Sequence, residues 1–122
     1  MTLALDGIAP LLHVADMARS VAFYRDVLSF RLVASEPRGA AAFVWCMLAQ
    51  GELAIMLSLR PAGAGAPSGG IALYFGCPDV DEAHRQVTAR GWTAAPPVTN
   101  EGMRRLHLQD PDGYELCLQH PA

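Results

Sequence analysis

Two consecutive stretches of this chain share one residue pattern, and this internal repeat limits the folds open to it. Aligning Asp16 with Asp79 places Phe30 beside Trp92 after a single gap, which gives two units of about fifty residues each. Each unit reads strand–helix–strand–strand–strand. Neither unit is expected to be stable alone, because one face of each curved sheet must be covered.

Each unit contains one segment of helical periodicity behind a strand-like run. In the first unit Asp16 is placed to cap a helix, and apolar residues follow at helical spacing: Met17, Val21, Tyr24, Val27 and Leu28. In the second unit Asp79 and Glu82 have the spacing of a capping box. Gly91 then supplies the left-handed residue that ends such a helix.

Short β-prone runs surround both helices. We predict strands at residues 11–14, 31–35, 43–49 and 53–59, and again at 71–75, 93–95, 104–109 and 114–119. Residues 110–113, with the sequence DPDG, predict a type I turn between the last two strands. The Gly, Pro and Ala residues of 61–69 indicate a linker between a first module at 6–60 and a second at 70–120.

Composition narrows the function classes. Of the 122 residues, 52% are hydrophobic and 17% charged, which excludes wholesale disorder. A net charge of −3 argues against a nucleic-acid partner and against a positively charged protein surface that binds membranes. The longest apolar run, residues 40–49, is too short to span a bilayer. Cys46, Cys77 and Cys117 form no closely spaced pair, so we expect free thiols and a cytoplasmic protein.

Two segments resemble the vicinal oxygen chelate superfamily, which contains glyoxalase I, the bleomycin-resistance proteins and the extradiol dioxygenases. VADMARSVAFYRDVLSF (14–30) resembles its first signature, with Ser29 where glycine is usual, and GMRRLHLQDPDGYELCL (102–118) resembles its closing hairpin. The resemblance implies a single α+β domain over residues 1–122. In it two βαβββ modules form a curved open sheet around a cavity, with the helices outside. It also implies a homodimer, whose modules pair either within one chain or between chains.

The resemblance also bears on a metal. Catalytic relatives bind one divalent metal through His, Gln or Glu at four inward-facing positions, which correspond here to Ala9, Met56, Gly70 and Cys117. Only the thiol could bind an ion, and it prefers soft metals. We therefore expect no metal and no other cofactor. His13 and His107 with Glu52 or Glu115 could still supply two imidazoles and a carboxylate.

Strand parity applied to the family's inward positions selects a candidate cavity surface. Aromatic side chains there would stack on a planar ligand, while histidine, arginine and glutamate side chains would orient its polar atoms. Arg105 could instead pair with Glu115 or lie exposed at the rim, and Cys117 could be a buried, inert thiol. The candidate ligand-binding residues are His13, Phe43, Trp45, Met56, Tyr74, Arg105, His107, Glu115 and Cys117.

Three hypotheses on function follow. The first is a metal-independent small-molecule binding protein similar to the bleomycin-resistance proteins, which sequesters an aromatic or polar metabolite or drug. The second is a glyoxalase-like lyase or isomerase, or a dioxygenase-type enzyme, with a non-standard metal site or with acid–base chemistry by His13 and His107. The third is an interaction module whose cavity is filled by its own side chains.

Overall fold

The chain folds as two successive βαβββ units in a computed structural model that describes residues 1–61 and 70–122. The first unit consists of β1 (Leu11–Val14), α1 (Met17–Ala22) with a π-helical turn (Phe23–Val27), β2 (Arg31–Glu36), β3 (Trp45–Gln50) and β4 (Leu53–Leu59). The second consists of β5 (Ala72–Gly76), α2 (Val80–Ala89), β6 (Val98–Asn100), β7 (Met103–Gln109) and β8 (Glu115–Pro121). Apart from residue 61, the predicted linker lies outside the described residues.

The eight strands form two four-stranded sheets of matching topology. Sheet 1 has the order β1-β4-β3-β2 and sheet 2 the order β5-β8-β7-β6. In each sheet the first strand pairs in parallel with the last strand of its unit, and the other pairs are antiparallel. The predicted α+β class and the repeat are confirmed.

Both helices begin where the sequence places their caps. The Asp16 carboxylate accepts from the Arg19 amide at 3.0 Å, and Asp79 accepts from the Glu82 amide at 3.0 Å. Gly91 ends α2 with a φ of 87°. Only the Asp79 half of the predicted capping box forms, because the Glu82 carboxylate turns to Arg85 and Gln86 one turn along the helix.

The structure differs from the prediction at the start of β3 and at residues 93–95. β3 begins at Trp45, so Phe43 lies in the preceding loop, where it packs against the core. Residues 93–95 form no strand, and the short β6 lies further along at Val98–Asn100. Pro96 and Pro97 have no amide hydrogen for a strand ladder. The Gln109 carbonyl accepts from the Trp92 indole at 3.0 Å instead of from a strand amide.

The core lies between the helices and one face of each sheet. Alternate strand residues point into it, as the burial of Leu12, Leu57 and Leu106 shows. The other buried apolar residues of the strands on this side are Val14, Cys46, Leu48, Ile55, Leu108 and Leu116. On the opposite face of each sheet, here called its open face, no helix of the described residues packs.

The turn of sequence DPDG joins the second unit to the first. The buried Tyr24 hydroxyl donates to the Asp110 carboxylate at 2.7 Å. The Asp112 carboxylate accepts from the Ala15 amide at 3.0 Å and from the Ser20 hydroxyl at 3.2 Å. The two aspartates, predicted only as turn formers, therefore also bind α1, the π-helical turn and the residue that follows β1. We call these contacts the DPDG clasp.

The far end of the first helical segment contacts the second unit independently of the clasp. The rings of Phe23 and Trp92 have centroids 4.6 Å apart. The Arg90 guanidinium donates to the Val27 carbonyl at 2.8 Å and to the Ser29 hydroxyl at 3.0 Å. This helical segment is thus buried between its own sheet and the second unit, which explains why the adjacent Phe23 and Tyr24 are both buried.

Candidate ligand-binding site

The strand register aligns the predicted site residues of the first unit in rows across sheet 1. His13 lies opposite Ser58 on β4, and Ser58 lies opposite Trp45 on β3. The next row contains Leu11, Met56 and Met47. His13 and Leu11 are exposed, while the other side chains of the two rows are half-buried. The open face of sheet 1 is therefore a largely apolar surface with one imidazole and one hydroxyl.

The open face of sheet 2 is more polar. Tyr74, Cys117 and His107 form its central row across β5, β8 and β7. On one side of this row lie Gly76, Gln119 and Arg105, and on the other side lie Ala72, Glu115 and Gln109. Five of the nine predicted site residues therefore share this one face.

Cys117 is buried although it lies on an open face. Its side chain is 2% exposed and does not belong to the main core cluster. Its row neighbours are the larger Tyr74 and His107. Burial raises the pKa of the Cys117 thiol, and the nearby positive charge of Arg105 opposes this effect. Of the two alternatives for this thiol, the structure favours the buried and inert one.

Arg105 is held by an amide and not by a carboxylate. Its Nε donates to Gln119 Oε1 at 3.0 Å, and the side chain is half-buried. None of the ion pairs among the described residues involves Arg105 or Glu115. The expected alternative of an Arg105–Glu115 pair is therefore wrong.

A cavity of about 880 Å³ opens next to this face. It lies where residues 93–97 fail to pair with β7, so that β6 covers only the first three residues of that strand. Residues of both strand parities in sheet 2 line it: His107 and Glu115 of the open face, and Leu108 and Leu116 of the core side. Residues 91–93 and 109–111 complete its lining.

The candidate residues do not form a single cluster within one chain. His13, Trp45 and Met56 lie on sheet 1, and the residues of β5, β7 and β8 lie on sheet 2. No side-chain hydrogen bond, ion pair or ring contact within residues 1–61 and 70–122 joins the two open faces. The two histidines of the acid–base hypothesis therefore lie on different sheets.

Three contributors to this surface were missing from the predicted site. Gln119 shares the face of Cys117 by strand parity, but its amide gave no sign that it would hold Arg105. Gly76 shares the face of Tyr74, but glycine has no side chain whose chemistry would mark it as a binding residue in the sequence. Residues 91–93 reach the cavity because the strand expected there does not form. The Pro96–Pro97 pair was the available signal for that.

The four positions that hold a metal in catalytic relatives do not fit one here. Ala9 and Gly70 offer no donor atom, and the Met56 thioether and the buried Cys117 thiol suit neither a hard cation nor an open coordination site. In the part of the chain that the structure describes, no three His, Cys, Asp or Glu side chains lie close enough to hold an ion. We derive no chemistry through a metal.

Comparison with known proteins agrees with this architecture. The sequence model of the Glyoxalase/Bleomycin resistance protein/Dioxygenase superfamily matches residues 5–118. The chain belongs to this superfamily. No curated protein matches the chain significantly in sequence.

Solved structures of this superfamily fold are similar over nearly their whole length. TnmS3, an antibiotic binding protein from Streptomyces sp. CB03234, has 24% identity and a TM-score of 0.79, covering 99% of this chain and 100% of its own. TioX from Micromonospora sp. ML1 has 21% identity and a TM-score of 0.77, covering 96% and 100%. A putative glyoxalase family protein from Bacillus anthracis has 15% identity and a TM-score of 0.77, covering 100% of both chains. At these identities the likeness shows the fold alone.

The helices give one further finding. None of those in the described ranges has the length and apolar character needed to cross a lipid bilayer.

Proposed function

We propose that this superfamily member binds a small molecule without a metal and sequesters it against its open sheet faces. The observation that carries the proposal is the central row of sheet 2. There Tyr74 and His107 flank Cys117 beside the Arg105–Gln119 pair, on the face that neither α1 nor α2 covers. An aromatic surface with a few convergent polar groups is typical of small-molecule sites.

The dimensions support a ligand of drug or metabolite size. The cavity of about 880 Å³ beside His107 and Glu115 falls within the usual range for such sites. Tyr74 on sheet 2 and Trp45 on sheet 1 each offer a ring for stacking on a planar group. The likeness to the antibiotic binding protein TnmS3 supports the same class of activity, with an antibiotic or a related metabolite as the ligand.

A homodimer is part of the proposal. Within residues 1–61 and 70–122 of one chain no side-chain hydrogen bond, ion pair or ring contact joins the two open faces, and a second copy could bring sheet 1 of one chain over sheet 2 of the other. Exposed apolar side chains on these faces support a covering partner, since Leu11, Tyr74 and Val98 are 43%, 59% and 53% exposed. Light scattering should give twice the mass of one chain, and a monomer at micromolar concentration would contradict this part.

The proposal places the protein in the cytoplasm. Its three cysteines, Cys46, Cys77 and Cys117, are all free thiols, which suits a reducing compartment.

A thermal-shift screen of planar aromatic metabolites and antibiotics in buffer with EDTA tests the proposal. We expect at least one compound to raise the melting temperature in a saturable manner, because a ligand that binds only the native state stabilises it. Replacing Trp45 by alanine should weaken binding of that compound by roughly 1–3 kcal/mol, the scale of one lost stacking partner.

One control and one contradicting outcome complete the screen. The Trp45→Ala protein should keep its far-ultraviolet circular dichroism, since the ring lies on the open face and not in the core. The absence of any stabilising compound, or compounds that act only after a divalent metal is added, would overturn the proposal.

A further inference from the structure

From the charge and shape of sheet 2 we infer that the ligand is a planar aromatic monocarboxylate, held with its carboxylate on Arg105. This inference rests on the proposed function and specifies its ligand class. The surface that would receive the ligand, here called the Arg105 patch, consists of Tyr74, Gly76, Arg105, Cys117 and Gln119.

The first argument is the charge of Arg105. A half-buried guanidinium is expected to be paired, because desolvating a cation without a counter-charge is unfavourable. Gln119 occupies only its Nε, through a neutral amide oxygen at 3.0 Å. Among the described residues no carboxylate lies within ion-pair distance of it. The two terminal nitrogens, whose planar geometry matches a carboxylate, are left for an external anion.

The second argument is the comparison with Arg104, the adjacent residue on the other face of β7. Arg104 forms two hydrogen bonds with the Asp81 carboxylate on α2, at 2.7 and 2.8 Å, and a third with the Thr99 hydroxyl at 3.1 Å. On the core side of the sheet the chain thus supplies its own carboxylate for an arginine. On the open face the partner that the chain supplies for Arg105 is the uncharged amide of Gln119.

The third argument is the open space above Gly76. Gly76 shares the row of Gln119 and Arg105, and no atom lies within 4 Å of the place where its Cβ would be. The next row presents the Tyr74 ring, which is 59% exposed, beside the buried Cys117. A flat ring can therefore lie over Gly76 and Cys117 with one edge against Tyr74 and its carboxylate toward Arg105.

Glu115 limits the charge and orientation of the ligand. It lies on the same face, four residues along β8 from Gln119, which corresponds to roughly 13 Å. Its negative charge disfavours a second anionic group at that end and directs the carboxylate toward Arg105. A single cation in the Arg105 patch also matches a monoanion better than a phosphate dianion.

Three probes of the same shape test the inference: 2-naphthoate, 2-naphthamide and 2-naphthylmethylammonium, measured by calorimetry at low ionic strength. We expect the carboxylate to bind at least about tenfold more tightly than the neutral amide, as a charge-assisted pair requires, and the ammonium most weakly. Arg105→Gln should abolish the preference for the carboxylate. Gly76→Val should weaken both the acid and the amide, because the valine side chain would occupy the open space above residue 76 where the ring lies.

Arg104→Gln is the matched control. It removes the same charge from the same strand but from the opposite face, so the preference for the carboxylate should persist. Melting temperatures of all variants identify any loss of folding. Equal binding of acid and amide, a preference for the ammonium, or a carboxylate preference that survives Arg105→Gln would overturn the inference and leave the proposed function standing. No binding of any probe at millimolar concentration would also overturn it, whereas the proposed function fails when the broader screen is empty or when its compounds act only with added divalent metal.

Discussion

Single side chains of the DPDG clasp connect the two halves of the molecule. The Asp110 carboxylate is 4% exposed and accepts from the Tyr24 hydroxyl and from the amides of Asp112 and Tyr114. Tyr24 is fully buried, and its pKa is raised by burial and by the negative charge of Asp110. The hydroxyl therefore remains a proton donor throughout the neutral pH range.

Replacing Tyr24 by phenylalanine should lower the free energy of unfolding by about 1–3 kcal/mol. The substitution leaves a buried carboxylate without one of its donors, and that is the usual range for such a loss. Urea denaturation followed by circular dichroism measures the change. Tyr74→Phe is the control and should leave stability unaltered, because that ring is exposed. Equal stability of Tyr24→Phe and the natural protein would show that the clasp contributes nothing.

Asp110→Asn should reveal a pH-dependent contribution. Burial raises the pKa of Asp110 in the native state, so this group stabilises the fold fully below its unfolded pKa of about 3.9. That contribution is lost as the pH rises through the native pKa. Asparagine does not titrate. The stability of Asp110→Asn relative to the natural protein should therefore increase as the pH rises from about 3.5 to 7. Urea denaturation across this range measures the difference, and a constant or decreasing difference would contradict the assignment.

At the scale of elements, the local signals of the sequence located most of the structure. Both N-caps, the helix end at Gly91, the closing turn and seven of the eight strands lie where capping, periodicity and turn chemistry place them. The strand predicted at residues 93–95 does not form, because the β-propensity of a segment does not determine whether it can pair with a neighbouring strand. Pairing also requires a free neighbouring edge and amide hydrogens, and Trp92 and the two prolines remove them.

Ser29, in the connection between the π-helical turn and β2, provides a prediction at the scale of elements. Ser29 occupies the position where relatives usually have glycine, and its φ is 64°, in the left-handed region. Glycine and alanine both lack the hydroxyl that binds Arg90, so comparing them isolates the backbone. Ser29→Gly should be more stable than Ser29→Ala by about 1 kcal/mol, because only alanine has a Cβ that is strained there. Thermal and urea denaturation measure the difference, and an alanine variant as stable as the glycine variant would contradict it.

At the scale of the whole molecule, the fold class was predictable and the arrangement of the site was not. Strand parity correctly assigned Trp45, Tyr74, Arg105 and Cys117 to the faces away from the helices, because alternation is a property of each strand alone. The separation of these residues on two sheets depends on how the units pack. That packing is decided by long-range contacts such as the DPDG clasp, which local patterns do not encode.

A calorimetric titration in metal-free buffer tests the central claim most directly. The compound from the screen that stabilises the protein most should be titrated into EDTA-treated protein, and again after divalent metal is restored. We expect saturable binding with the same affinity and stoichiometry in both titrations. Binding that appears only with the metal, or heat from turnover that stops on its removal, would contradict a metal-independent binding protein.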